Sequence, residues 1–422
     1  MRVRTGRGER LAIVALVGLA AATCSRGTQP VTSARTVGFD ADIAFLRQHT
    51  QVVVLADPSG SAQVAVAPAY QGRVMTSTTG GSDAPSFGWI GRAAIASGTR
   101  QPHMNVFGGE DRFWLGPEGG QFALYFKPGD PFDLDHWQVP GPIDWDTWDI
   151  AGQSATEVRF RKPMTLVNYS RTQMTVDVDR TVRLLSSADV ARLLGVSPGS
   201  AVRTVAFESS NTVTNAGNAE WKPDAGLVSV WILGMFNPSA DTTIVLPFTP
   251  GPESTNGPIV NDAYFGKVPA DRLVISPSAV FFRGDGQYRS KIGLSPLRAQ
   301  QMAGGYDASG HVLTLVQYTR PQDGAPRYVN SMWEIQREPY KGDVINSYND
   351  GPPEPGKAPL GPFFELETSS PALGLAPAQQ YTHVHRTFHF VGAEADLDRL
   401  ARATINVGLD EIKNAFPVSS AR

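Results

Sequence analysis

Glu365 and Glu367 stand two residues apart in the run FFELET, residues 363–368. On a strand, that spacing puts both carboxylates on one face, about 6–7 Å apart at Cα. Like charges this close repel unless cations or hydroxyls satisfy them, and paired carboxyls are what glycoside chemistry uses to divide acid and base roles. The competing reading is a solvated strand face paired to arginine. A second concentration of chemistry is HMNVFGGEDRFWLGPEGGQ, residues 103–121, which reads as one loop. Glycines there admit close backbone approach to a ligand, and Trp114 offers an apolar face for the C–H surface of a ring. Arg112 and Glu118 offer charged hydrogen bonds to hydroxyls. Glu110 and Arg73 join them as candidate ligand contacts. The structural alternative pairs Arg112 with Glu110, Asp111 or Glu118 and makes Arg73 half of a salt bridge. His383, His385 and His389 share a strand face by their even spacing, a pattern that can seat a metal. His385 and His389 would lie about 13 Å apart along the strand, with no carboxylate nearby to complete the set. A polar sheet face is therefore expected there, with no metal and no cofactor.

The elements that must position these residues are mostly strands. Gly 42 and Pro 32 punctuate the chain, aromatics are spread along its length, and long helix-period segments are scarce, which is the pattern of many short strands joined by turns. Val52–Leu55, a turn at Asp57–Gly60 and Ala62–Pro68 read as a hairpin. β-branched or alternating runs recur at 121–126, 156–160, 174–185, 201–214, 227–236, 242–248, 272–282, 311–319, 331–336, 363–368 and 380–391. Helical spacing occurs at Phe39–His49, Ala188–Leu194 and Glu394–Phe416. The fold class expected is all-β: a large antiparallel β-sandwich with a short N-terminal helix and a C-terminal helix covering an edge. Trp221, Trp231 and Trp333 could line a cleft or fill a core.

The N-terminus carries Arg2, Arg4, Arg7 and Arg10, then an uncharged apolar run from Leu11 to Ala22, then Thr23-Cys24. This is the order of a secretory signal. The run of about 12 residues is too short for a transmembrane helix, which needs about 20. Cys24 is the only cysteine, and its small neighbours resemble a lipobox, which would make it the acylated residue of an exported lipoprotein. Residues 1–24 are then the signal, 25–38 a linker and 39–417 a single domain. A lone thiol excludes an internal disulfide framework and a cysteine-based zinc site. With net charge −3 and pI about 6.2, no basic stripe exists to track a phosphate backbone, so nucleic acid is excluded as a partner. Contact with a membrane would come only through the lipid at Cys24.

Three stretches in chain order resemble the galactose-mutarotase-like (aldose 1-epimerase-like) superfamily. AVAPAYQGRV, residues 65–74, is similar to its early strand, loop and Gly-Arg segment. NTVTNAG, residues 211–217, followed by Val228–Trp231, resembles its central region and places Trp231 near a sugar cleft. Leu366-Glu367-Thr368, Pro371 and Leu375–Pro377 resemble the segment that carries the family's general base, which implies that role for Glu367. Within the superfamily the chain also resembles a bacterial group with the signature GGEDRFWLGPEGG, residues 108–120, to which no established reaction attaches. The sequence departs from the family where its acid histidine is expected. Asn215 is followed by Ala216, Gly217 and Asn218, and no histidine occurs between His136 and His311. His103, Lys222 or another group would have to supply the proton.

The resemblance implies a mono- or oligosaccharide ligand and a carbohydrate-active enzyme of the periplasm or cell envelope. Its reaction would be epimerisation, hydrolysis or elimination by acid/base catalysis. A non-catalytic sugar-binding lipoprotein and a structural envelope lipoprotein are the alternatives. No glycine-rich phosphate loop stands beside a lysine, which disfavours a nucleotide-driven role.

Overall fold

The computed structural model describes residues 38–80, 85–321 and 327–416. The signal segment, Cys24 and nearly all of the linker lie outside the described residues. The expected fold class is observed: among the described residues the chain forms three antiparallel sheets, with few helices.

A ten-stranded sheet runs in the order Leu273–Ile275, Ala279–Arg283, Thr242–Pro247, Met302–Asp307, Val312–Tyr318, Gln380–Val391, Arg203–Asn215, Gln173–Leu184, Glu157–Val167, Asp149–Gln153. Strands Glu157–Val167 and Gln173–Leu184 alternate between buried and more exposed positions, as a half-solvated antiparallel sheet requires. A five-stranded sheet follows the order Ser290–Leu294, Ile345–Asn349, Phe364–Ser369, Ser229–Phe236, Arg112–Gly116. Every residue of these five strands is buried, so both faces are covered. Val53–Ala56, Gln63–Ala67 and Arg73–Thr78 form the third sheet.

The two large sheets stack through an apolar layer that includes Ile244, Leu246, Val316 and Tyr318 from one and Ile292, Phe364 and Leu366 from the other. At about 25 cal/mol per Å² of apolar area removed from water, layers of this kind dominate the stability of such folds.

Several expectations need correcting. The helix expected at Phe39–His49 is present with those bounds, but the C-terminal segment is two helices, Glu394–Ile405 and Leu409–Lys413. They cover a face rather than an edge: Leu397, Leu400 and Ile412 pack with Val245, Leu315 and Phe388 of the ten-stranded sheet. Residues 121–126 and 331–336 are not strands. Ala123, Leu124, Tyr125 and Phe126 are buried all the same, because their apolar side chains fill the core from an irregular path. The segment 103–121 is not one loop, since Arg112–Gly116 is an edge strand of the five-stranded sheet.

Candidate functional site

The site is built on one face of the five-stranded sheet. Residues paired across an antiparallel sheet share a face, and register defines two adjacent rows. One holds Lys291, Tyr348, Glu365 and Met235; the next holds Asn346, Glu367, Leu233 and Arg112. Trp114 pairs with Trp231 one step further on. The ion pairs cross diagonally between rows: Arg112 Nη2 donates to Glu365 Oε1 at 2.9 Å, and Lys291 Nζ donates to Glu367 Oε2 at 2.8 Å. The indole N–H of Trp231 adds a second bond to Glu367 Oε2, at 2.9 Å. Glu367 Oε1 has no partner.

Above this floor lies a cavity of about 180 Å³. Four tryptophans wall it, Trp114, Trp137, Trp231 and Trp333. Trp114 stands edge-on to Trp231 at 5.5 Å, and Trp137 stacks on Trp333 at 5.9 Å. The Arg112 guanidinium sits 4.1 Å from the Trp114 ring centroid and Lys291 Nζ 4.7 Å from that of Trp231, so each cation is held by a ring as well as by a carboxylate. Arg289, Asp350 and Glu118 complete the polar wall. A smaller polar recess of about 10 Å³ adjoins through the shared Lys291 and Trp231, lined by Tyr264, Asp343, Asn346 and Ser369. Such a space is about that of one water with several polar partners.

Burial pushes the Glu365 carboxyl up to about 8; Arg112 opposes the shift, and the nearby Glu367 charge reinforces it. Burial likewise raises Glu118, against the pull of Lys291 and a hydrogen bond from Trp333. It raises Asp350 against bonds donated by the Gly361 amide and the Tyr348 hydroxyl, each 2.8 Å long.

Of the residues singled out in the sequence, Glu365, Arg112, Trp114, Glu118, Trp231 and Trp333 line this cavity. Glu367 does not. It is fully buried and meets the cavity only through Lys291 and Trp231, the two wall residues it holds. Glu110, Arg73 and His103 are also off the wall. Glu110 accepts from Ser77 Oγ at 2.9 Å and contacts His389 Nε2 at 2.9 Å, in a sealed layer between the two large sheets. The strand alternation that would put Glu110 beside Arg112 fails because the chain turns just before the strand, at Gly108 (φ +83°) and Gly109 (φ +110°). Gly234 lets this turn pack closely, since a Cβ there would meet the Glu110 carbonyl oxygen at 2.4 Å. Arg73 is buried and donates from Nη1 to the Gly108 carbonyl at 2.8 Å, without the carboxylate partner expected of a salt bridge. His103 bonds the Trp137 carbonyl through Nδ1 at 2.7 Å. Lys222 is exposed, and Trp221 belongs to the core.

The histidines are buried groups between the sheets. Thr368 Oγ1 bonds His383 Nε2 at 3.0 Å and His385 Nδ1 at 2.8 Å, and Thr314 Oγ1 bonds His389 Nδ1 at 2.9 Å. Among the described residues, no three His, Cys, Asp or Glu side chains form a metal-holding group.

Sequence reasoning missed Lys291, Arg289, Tyr348, Asp350 and Trp137. The first four lie on or beside Ser290–Leu294 and Ile345–Asn349, strands whose polar, non-alternating sequences give no period to detect.

Fold and site together define an all-β protein of two stacked antiparallel sheets with a tryptophan-walled, carboxylate-floored cavity in the smaller one. The chain belongs to the family described as "Family of unknown function (DUF6786)", whose model matches residues 37–416. No curated protein is significantly similar to it. Among solved structures it is similar to the Slr1438 protein from Synechocystis sp. PCC 6803, with 11% identity and a TM-score of 0.47 over 82% of this chain and 96% of that one. It is similar to a galactose mutarotase-like protein from Lactobacillus casei ATCC 334, with 12% identity and a TM-score of 0.45 over 80% of this chain and 100% of that one. A third is a galactose mutarotase related enzyme from Lactobacillus acidophilus, with 8% identity and a TM-score of 0.43 over 81% and 97%. These are likenesses of fold.

Proposed function

We propose that the cavity binds a carbohydrate ring and that Glu365 transfers a proton to or from it. The observation that carries this reading is the placement of a buried carboxyl, raised to about 8, on the floor of a cavity walled by four tryptophans. Aromatic faces suit the C–H surface of a sugar, and the charged groups between them suit its hydroxyls. A proton-transfer group works best when it titrates near the working pH, a condition an ordinary exposed glutamate does not meet. Lys291 supplies positive charge in the same row as Glu365, with Tyr348 between them, and Glu367 acts as a positioning residue that holds Lys291 and Trp231. This reassigns the base role that the resemblance gives to Glu367.

A non-catalytic binder is the second reading, favoured by a specific feature: Glu365 is tied to Arg112 and, among the described residues, no histidine lines the cavity. Proton NMR of the full-length protein with a panel of mono- and oligosaccharides separates the two. Anomer exchange or new product signals that vanish in Glu365→Gln support the enzyme. Ligand line broadening without conversion supports the binder, and no response to any sugar ends both. The reading also includes export with a lipid at Cys24, on the order of charged, apolar and small residues before it. Lipid labelling that persists in Cys24→Ala would remove that part. No helix among the described residues is long and apolar enough to cross a membrane.

A further inference from the structure

We infer that the cavity's carbohydrate carries an anionic group, a carboxylate or a sulfate ester, and that Arg289 reads it. This rests on the carbohydrate reading and adds the substrate class. Three cations line the cavity. Arg112 and Lys291 are each committed to a buried glutamate. Arg289 is in no ion pair among the described residues, and its side chain makes no hydrogen bond there. Its guanidinium lies 3.7 Å from the centroid of the Phe265 ring. Stacking of this kind fixes the plane of the fork and leaves its edge N–H donors free.

The position follows from the strand. Arg289 stands immediately before the strand Ser290–Leu294, two residues from Lys291, and lines the same cavity. It lies on the side of Asp350 and Gly351: a Cβ at Gly351 would meet the Arg289 backbone nitrogen at 2.5 Å, and all three residues line the cavity. A ring over Glu365 would therefore present a substituent at its far side to Arg289. A planar fork matches a carboxylate or a sulfate by two parallel N–H bonds, which a neutral hydroxymethyl group cannot accept. Two carboxyls share that wall. Asp350 is occupied by the Tyr348 hydroxyl and the Gly361 amide, and burial raises both Asp350 and Glu118.

The test is isothermal titration of the full-length protein with matched ligands: D-glucose, D-glucuronate and D-glucose 6-sulfate, and the same three in the galactose series. At least one acidic sugar is expected to bind about tenfold or more tightly than its neutral sibling, the scale of a charge-assisted bond. The carboxylate and sulfate arms identify which anion is read. That preference is expected to fall to about one in Arg289→Gln and to an intermediate value in Arg289→Lys, which keeps the charge and loses the fork. Neutral sugars binding as tightly as acidic ones in the wild type would overturn the inference and leave the carbohydrate reading standing. A preference that survives Arg289→Gln would overturn it as well. If none of the six binds, the carbohydrate reading falls and this inference falls with it.

Discussion

The strand Phe364–Ser369 carries polar groups on both of its faces, and they do different things. Glu365 and Glu367 face the cavity, where Arg112 and Lys291 hold them. Thr368 faces the ten-stranded sheet, where it bonds His383 and His385 in a sealed layer that also holds the ion pair between Arg180 and Asp111, 2.6 Å long. Both regions are buried and both are rich in titratable groups. In the sealed layer every guanidinium nitrogen of Arg180 is bonded, to Asp111, Asn211 and the Gly72 carbonyl, although Glu110 Oε1, Asp111 Oδ2 and His383 Nδ1 have no partner there. On the cavity side Arg289 has neither an ion pair nor a side-chain hydrogen bond among the described residues, and the indole N–H of Trp114 is unpartnered. A cation that uses its donors on its own fold holds that fold together, whereas one that leaves them over has room for a ligand.

The comparison can be broken most sharply in the sealed layer. Arg180→Ala leaves Asp111 as a buried, uncompensated charge, and urea unfolding is expected to show a loss of about 3–5 kcal/mol. A loss below about 1 kcal/mol would mean that the layer is wetter than its burial indicates.

The same layer should govern acid stability. Burial pushes His385 from its ordinary 6.5 down to about 4, against the pull of Asp111, and His383 down to about 3. A histidine depressed in the fold takes up its proton more readily when unfolded. Its contribution is therefore present above pH 6.5 and is lost as the pH falls toward 4. His385→Gln is expected to be less stable than wild type at pH 7, with the gap closing by on the order of 3 kcal/mol by pH 4. A gap that stays constant across that range in thermal melts would contradict the neutral, buried assignment.

On the cavity side, Glu367→Gln weakens the hold on Lys291 without emptying the wall. If Glu367 positions Lys291, turnover should fall about tenfold, the scale of one hydrogen bond to a charged group. The alkaline limb of the pH–rate profile should move with it, a change that a purely structural role would not produce.

The parts legible in the sequence are those with a period or a crowded signature. Phe39–His49 shows its apolar residues at helical spacing, and the long strand Gln380–Val391 shows its alternation. Arg112, Trp114 and Glu118 stood out because few structural demands explain so much chemistry in one glycine-rich stretch. Lys291 and Arg289 did not, because their importance comes from cross-strand register with residues 57 and more positions away in sequence. Glu110 misled for the opposite reason: it stands two residues from Arg112, and the positive-φ glycines before the strand send it to the other side of the sheet. Glu365 and Glu367 share a face as their spacing requires, yet only one of them reaches open space. Which one is decided by where Lys291 and Trp231 stand.

The most direct test of the division between the two faces is sugar-dependent proton NMR exchange, recorded side by side for wild type, Glu365→Gln and His385→Gln at pH 7. Loss of exchange by about 10²–10⁴-fold in Glu365→Gln, with His385→Gln near the wild-type rate, is the predicted result. Exchange that survives Glu365→Gln and disappears in His385→Gln would place the chemistry in the layer between the sheets and contradict the account.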